Sequence, residues 1–286
     1  MGSMLCSLCL MRANFLAAPT FVIAVFLSGN FTVRNSSFKS ALAAVEVDGF
    51  LHDNVVTVGG SPSTGNVIAN VGYPIDTGGV PHAFVRDKHG TIIEFEAPGA
   101  CQAPGQGTQT SSFYGLNNAG WFAGPFSDCS IIWHGYLRAP DGRVTTIDAP
   151  GAGTGAGQGT IADSVGDNTA ITGWHIHENN VNHGFVRGHH GRFTTINAPG
   201  AGTGAGQGTL VADITLAGDI AGFYVDSNNV AHGYSRDADG AFVTFEASGA
   251  GRGAGQGTYA IGSNAEGVIT GYYVDSNNVA HGFLRN

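Results

Sequence analysis

Five histidines recur in the frame His-(Gly/Ala)-(Phe/Tyr)-x-Arg: His82, His134, His183, His232 and His281, spaced by 52, 49, 49 and 49 residues. Four residues after each stands an arginine: Arg86, Arg138, Arg187, Arg236 and Arg285. Six residues before lies Asp76, Asp128, Asp226 or Asp275, with His177 in the remaining copy. Imidazole, guanidinium and carboxylate at fixed spacing allow two kinds of chemistry. Five imidazoles converging on one axis would hold a metal ion, which needs three or four ligands at about 2.0–2.3 Å from a single point. Distributed one set per unit, the same groups make a charge-assisted fastener, because residues i, i+2 and i+4 of a strand share a face. Repetition argues for that structural network, and specialised chemistry is expected where the repeat breaks.

The breaks gather between 126 and 190. Trp174-His175-Ile176-His177-Glu178 replaces the Phe/Tyr-Tyr-Val-Asp-Ser of the neighbouring copies, the next turn adds His189-His190, and the preceding copy contributes Phe126 and Trp133. His175 and His177, two apart on one strand face, could chelate copper or zinc if a third ligand approached; otherwise they are a solvent-facing imidazole pair. No resident metal and no cofactor are expected.

Four Gly-rich connections, 97–108, 149–160, 198–209 and 247–258, each finish Gln-Gly-Thr. None continues into Gly-Lys-Ser/Thr, so they do not cradle phosphate. Two readings stand for them. Either glycine simply lets the chain cross a crowded face, or Gln106, Gln158, Gln207 and Gln256 ring an axial mouth and bond a polar ligand such as a glycan. The candidate ligand-binding residues are therefore these four glutamines with Trp133, Trp174, His175 and His177.

The residues that an enzyme would need are sparse. Asp163, Asp167 and Asp213 do not occupy equivalent repeat positions, so no glycosidase pair declares itself. No Gly-x-Ser-x-Gly, His-Glu-x-x-His or Cys nucleophile with a neighbouring His is present. A lyase built from His175, His177 and Arg138 stays open. The formal net charge of −9 argues against nucleic acid or an anionic membrane surface as partner.

The elements that must position these groups follow from what fills one period. From His183 onward come four short apolar-alternating runs, separated by turns at His190-Gly191, the Gly-rich connection, Ala217-Gly218 and Asp226-Ser-Asn-Asn229. Runs of this length bounded by Gly, Asn and Asp are strands and hairpins. Four antiparallel strands in 49 residues make a propeller blade, whereas one β-helix coil takes about half that length. The expected fold is all-β, a five-bladed β-propeller, with the run after Gln-Gly-Thr innermost and both variable loops on one surface. The units are taken as 45–81 (irregular), 82–133, 134–182, 183–231 and 232–286.

Residues 1–44 stand apart. Phe15–Ser28 is apolar behind Arg12, and Ala41-Leu42-Ala43 offers a cleavage site, which together read as a secretory signal; a cut near Gly29 or an uncleaved anchor are the alternatives. The protein is expected outside the cytoplasm, secreted, periplasmic or on the cell surface, as a monomer with no other membrane attachment. Export permits a disulfide between Cys101 and Cys129, and two unrelated buried thiols are the alternative. The chain ends one strand short of a finished fifth blade. Val55–Val58 matches the missing Phe-Thr-Thr-Ile type and is expected to close the ring against residues 281–286. Asp48-Gly49-Phe50 imitates the marker only 34 residues before His82, so the first unit is expected to lack a Gly-rich connection and an inner strand.

His-Gly-Phe-x-Arg, Phe-Thr-Thr-Ile-x-Ala-Pro-Gly-Ala, Gly115-Leu116-Asn117-Asn118-Ala119-Gly120 and Gly-Tyr-Tyr-x-Asp together resemble the extracellular HAF repeats; Pro81-His82-Ala83-Phe84 carries their His-Ala-Phe triplet verbatim. The resemblance spans about residues 48–286. It implies export and a propeller-like β architecture, and it brings no catalytic residues or substrate. Two features depart from the usual pattern: the Gly/Ala/Gln extension after Pro-Gly-Ala, and the Asn-Asn-x-Gly turn kept only at 115–120. The expected function is a binding or surface-interaction module for a glycan or other polar ligand on the loop face, with a secreted carbohydrate-active lyase or hydrolase as the alternative.

Overall fold

The computed structural model describes residues 56–59, 70–86, 91–111, 115–117, 119–264 and 266–286. The segment read as an export signal lies outside them. Among the described residues every regular element is a strand. Unit 1 comprises β1 (Val56–Gly59), β2 (Asn70–Tyr73), β3 (Ala83–Arg86) and β4 (Ile92–Phe95), paired in that order. Unit 2 holds β5 (Phe122–Ser127), β6 (Trp133–Arg138) and β7 (Val144–Ile147); its inner edge is represented by the isolated pairing of Thr108 with Phe126. Unit 3 is β8 (Gly159–Val165), β9 (Ile171–Ile176), β10 (Asn182–Arg187) and β11 (Phe193–Ile196). Unit 4 is β12 (Gly208–Ile214), β13 (Ile220–Val225), β14 (Ala231–Arg236) and β15 (Phe242–Phe245). Unit 5 is β16 (Gly257–Ser263), β17 (Ile269–Val274) and β18 (Ala280–Arg285).

Within a unit the strands are antiparallel neighbours, with Gly-Thr opening the innermost strand and the Phe-Thr-Thr-Ile type outermost. This is the strand order of a propeller blade. The marker histidines sit near the start of the third strand, so boundaries drawn from marker to marker cut each sheet between its second and third strands. The hairpin between those strands owes its geometry to one aspartate. Asp226 Oδ1 accepts from the backbone N–H groups of Asn228 and Val230, both at 2.8 Å, and Asn229 takes the left-handed conformation at φ 61°. Asp and Asn favour this arrangement because short polar side chains bond their own backbone and tolerate positive φ.

The core is divided among successive unit pairs. Val71, Ala97, Phe122 and Tyr136 join units 1 and 2, and Ala123, Ile147, Ile171 and Phe185 join 2 and 3. Ile196, Val211, Ile220 and Tyr234 join units 3 and 4, and Ala221, Ala260 and Ile269 join 4 and 5. Each fully buried Val, Ile or Phe among them contributes about 1.5–3 kcal/mol, so every joint has its own apolar support. Main-chain contact adds precision. A Cβ placed on Gly159, Gly208 or Gly257 would overlap the carbonyl oxygen of Trp133, Asn182 or Ala231 in the preceding unit. Only glycine lets the two backbones approach so closely.

Two expectations need correction. Val55–Val58 was expected to close unit 5; the observed strand there, Val56–Gly59, pairs with β2 instead, with Thr57 opposite Gly72. It is the inner strand of unit 1, the strand that unit was expected to lack. The outer strands all run on into an acid or amide, a small residue, Pro or Ser, and Gly; Val56–Gly59 runs into Gly60-Ser61-Pro62 and lacks that continuation. Among the described residues β18 pairs only with β17.

Candidate functional site

The loop face is assembled from three repeated devices. First, each Gly-rich connection is closed on itself by the threonine that ends it. Thr108, Thr160, Thr209 and Thr258 accept through Oγ1 from the backbone N–H groups of Ala97, Ala149, Ala198 and Ala247 at 2.8–2.9 Å. All four threonines are fully buried, so they are pins and not ligand groups. Second, the glutamine before them ties the connection to the hairpin of its own unit. Gln207 Oε1 accepts from Gly204 N–H at 2.8 Å, and its Nε2 donates to Ser227 O at 3.3 Å and Asn229 Oδ1 at 3.0 Å. Gln158 repeats the arrangement with Gly155, Glu178 and Asn180, and Gln256 with Gly253 and Asn278. These amides are bonded to the protein's own loops, which leaves the reading of glutamines ringing a mouth without free groups at 158, 207 and 256.

Unit 2 does this differently. Cys101 takes the place of Gly153, Gly202 and Gly251, where an added Cβ would overlap the glutamine amide oxygen. The glutamine cannot fold back there, and the Gln106 Oε1 is left buried without a partner. The bracket is covalent instead: Cys101 and Cys129 form a disulfide with their Cα atoms 4.8 Å apart. This resolves the open question of the two thiols.

The third device is the marker histidine. His82 Nε2 faces Asp76 Oδ2 at 3.3 Å and its Nδ1 faces Glu96 Oε1 at 2.5 Å. The Glu96 bond, with help from Asp76, raises the His82 pKa above its ordinary value despite partial burial. Asp76 is held low by the Val80 N–H and by His82. His134 lies between Asp128 and Asp148, and His232 between Asp226 and Glu246. An aromatic ring stacks on three of the markers: Phe126 on His134 at 5.0 Å, Tyr224 on His232 at 4.9 Å, Tyr273 on His281 at 4.9 Å. The His–Asp fastener is thus present, but the arginines are not in it. They sit at the far end of the same strands, four residues and about 13 Å away. There Arg138 lies over Phe95, Arg187 over Phe193, Arg236 over Phe242 and Arg285 over Phe245, at 4.5–5.9 Å. Arg86 ends β3 opposite Asn70 and Ile92.

In unit 3 all three partners of the imidazole are changed. His183 Nδ1 meets the neutral Asn197 Oδ1 at 2.9 Å, His177 stands edge-on at 5.9 Å where the others have Asp, and His175 is the stacked ring at 5.3 Å. His175 is only 4% exposed and its Nδ1 has no partner. Burial first, then the two neighbouring imidazoles, push its pKa down to about 4. It is a neutral ring under the Gly-rich connection, not a solvent-facing base. Among the described residues no three His, Cys, Asp or Glu side chains are placed to hold a metal ion, the His175 and His177 pair included. His189 and His190 lie in the β10–β11 turn, at the opposite end of β10 from this cluster.

Two further groups lie on the inner strands. Each of β8, β12 and β16 carries a bulge at the same repeat position, between Ala162 and Ser164, Val211 and Asp213, and Ala260 and Gly262. Asp163, the bulged residue of β8, is 2% exposed; its Oδ1 accepts from Ser111 Oγ and its Oδ2 has no partner. Burial raises its pKa to about 7, with Asp213 adding to the effect. Asp213 bridges units 3 to 5, accepting from Ser164 Oγ at 3.1 Å and from Ser263 N–H and Oγ at 2.8 and 3.1 Å. Both carboxyls tie strands together. The second group is aromatic. Tyr259 stacks on Tyr272 at 4.6 Å, and Phe223 of the preceding unit meets Tyr259 at 5.0 Å. Trp174 occupies the equivalent of Phe223 and Tyr272 one unit earlier, and all three side chains are partly exposed. Trp133, also partly exposed, opens β6 and donates its backbone N–H to Gln158 O at 2.7 Å. Sequence reasoning singled out Trp174 by its difference from its neighbours, and missed Phe223 and Tyr272 because they obey the repeat.

No family model matches the chain, and no curated protein matches it. Among solved structures, a variant of the Aleuria aurantia lectin in complex with alpha-methyl-L-fucoside is similar over 81% of this chain and 74% of that chain, at 13% identity and a TM-score of 0.35. A likeness at that score carries neither fold nor ligand from one chain to the other.

Proposed function

We propose that the protein is an exported, five-bladed propeller-like module that binds a glycan or similar polar ligand on its loop face. The observation that carries the reading is the row of partly exposed aromatic rings, Trp174, Phe223 and Tyr272, spaced one per unit near the loop ends of the second strands. Flat apolar rings, with a polar edge on Trp174 and Tyr272, suit a ligand that is apolar on its faces and hydroxylated at its rim. Around them the hairpins present Glu178, Asn179, Asn228 and Asn277 to solvent as hydrogen-bonding groups. The loops that carry these groups are braced by the threonine and glutamine bonds, so the surface is preformed and loses little freedom on binding. His175 and His177 shape the unit 3 portion of the face, His175 from beneath.

The test is binding of the full-length chain to a glycan array, repeated with Trp174→Ala and Tyr272→Ala. Weakening of at least ten-fold by either substitution, with unchanged melting, supports the reading. Release of products from a polysaccharide panel would overturn it in favour of a carbohydrate-active enzyme. Absence of glycan binding would overturn it outright.

A further inference from the structure

Among the described residues unit 5 is the one unit with no outer strand, and its side chains register the difference. Val279 is 46% exposed, whereas the equivalent Val181 and Val230 are 3% and 5% exposed beneath the next unit's Gly-rich connection. Gly206 and Gly255 donate to the hairpin carbonyls of Asn180 and Asn229, and among the described residues no such bond reaches Asn278 O. Leu284 is 52% exposed on the unpaired side of unit 5. His281 Nε2 meets Asp275 at 3.1 Å, but among the described residues its Nδ1 has no counterpart of the Glu96, Asp148, Asn197 and Glu246 that stand fourteen residues after the other markers. Gly282 is the clearest sign. A Cβ on Gly135, Gly184 or Gly233 would press on both the outer strand and the next unit, at 2.7–3.2 Å; one on Gly282 would meet nothing closer than 4.0 Å. Glycine stands at 282 with no described neighbour that requires it.

We infer that the occupant of this edge is residues 42–49 of the same chain, Leu-Ala-Ala-Val-Glu-Val-Asp-Gly. The four outer strands and their continuations read Ile-Ile-Glu-Phe-Glu-Ala-Pro-Gly (92–99), Val-Thr-Thr-Ile-Asp-Ala-Pro-Gly (144–151), Phe-Thr-Thr-Ile-Asn-Ala-Pro-Gly (193–200) and Phe-Val-Thr-Phe-Glu-Ala-Ser-Gly (242–249). Residues 42–49 match at four of these positions and depart at two, Val47 standing for the small residue and Asp48 for Pro or Ser. Leu42 and Val45 fall at the two apolar positions, Glu46 at the acid that faces the marker histidine, and Gly49 at a glycine with φ between 88° and 99° in all four copies. A free strand edge is a pairing template. The register of β14 with β15 transfers to place Val45 opposite Gly282, Ala43 opposite Leu284, and Glu46 beside His281 Nδ1. From Gly49 to Val56, where β1 begins, seven residues span at most about 25 Å. The added strand therefore closes the array on unit 1 and supplies the ring on which the proposed architecture rests. Export cleavage after Ala43 would remove Leu42 and Ala43 from it.

The test uses the full-length chain, in Ala43→Cys with Leu284→Cys and in the slipped pair Ala44→Cys with Leu284→Cys. Peptide mapping after mild oxidation distinguishes the new bond from the cysteines already present. The first pair is expected to give at least ten-fold more intramolecular crosslink than the second. Equal yields, no crosslink, or a crosslink between two molecules would overturn the assignment, the last in favour of a second copy at the edge. Hydrogen exchange of the unmodified chain is an independent check. Gly282–Arg285 amides directed away from β17 should exchange within ten-fold of their counterparts in Gly233–Arg236, and free exchange refutes the strand. Neither readout depends on glycan binding, so the two proposals fail separately.

Discussion

Replacing Asp163 by asparagine should make the protein more stable at neutral pH and leave it nearly unchanged in acid. The carboxyl is 2% exposed, one of its oxygens has no partner, and its pKa is raised from 3.8 to about 7. A folded-state pKa above the unfolded value means that the native state holds the proton longer. The group is therefore most compatible with folding below about pH 4, and stability is lost as pH rises from there to about 7, where the loss levels off. A difference of about three units is worth about 4 kcal/mol. Asparagine keeps an oxygen for Ser111 Oγ and cannot ionise. Urea denaturation of both proteins from pH 4 to pH 8 should show the curves together at the acid end and separated by up to about 4 kcal/mol at the alkaline end. Asp76 and Asp275, with lowered pKa values, bend both curves in the opposite sense and cancel in the difference. A separation that does not change with pH would refute the argument, because the buried charge would then not be its source.

Two other changes test the loop face. Ile131 adopts φ 62° at the turn position filled by Asn180, Asn229 and Asn278 in other units, and left-handed backbone is strained for a β-branched residue. Ile131→Asn should raise stability by about 1 kcal/mol, measured by thermal melting. Removing the disulfide by Cys101→Ser with Cys129→Ser frees a 28-residue separation. The expected cost is about 3–4 kcal/mol by loop entropy, read in denaturant; in the unreduced parent protein neither of these two thiols should accept an alkylating label.

The repeat made the fold legible, because strand spacing, turn residues and the Gln-Gly-Thr endings recur together, and they placed inner and outer strands correctly in units 3 and 4. It misled at Val56–Gly59. Val-Thr-Val resembles the Thr-Thr-Ile of an outer strand locally, and only pairing with Gly72 reveals its place. Arg138 and His134 share a strand, and face periodicity suggested one network; strand length keeps them apart, since four residues is most of β6. The glutamines were visible as a pattern, but their amides bond to Gly155, Gly204 and Gly253 within the loop, which composition cannot reveal. The unit 3 histidines were found by their departure from the pattern. Their environment was not, because the burial of His175 depends on Gly151 lying over it.

Beside its apolar contacts, the seam between units has a part written in main-chain atoms alone. Gly159, Gly208 and Gly257 abut a carbonyl of the preceding copy, and Gly157, Gly206 and Gly255 donate to another. That part reads no side chain except the absence of one, so it is met by any copy that keeps these glycines. Tandem duplication of a 49-residue segment copies that part of the seam intact. Changes on the exposed rim, such as the imidazoles of unit 3, can accumulate in one copy while its neighbours stay as they were.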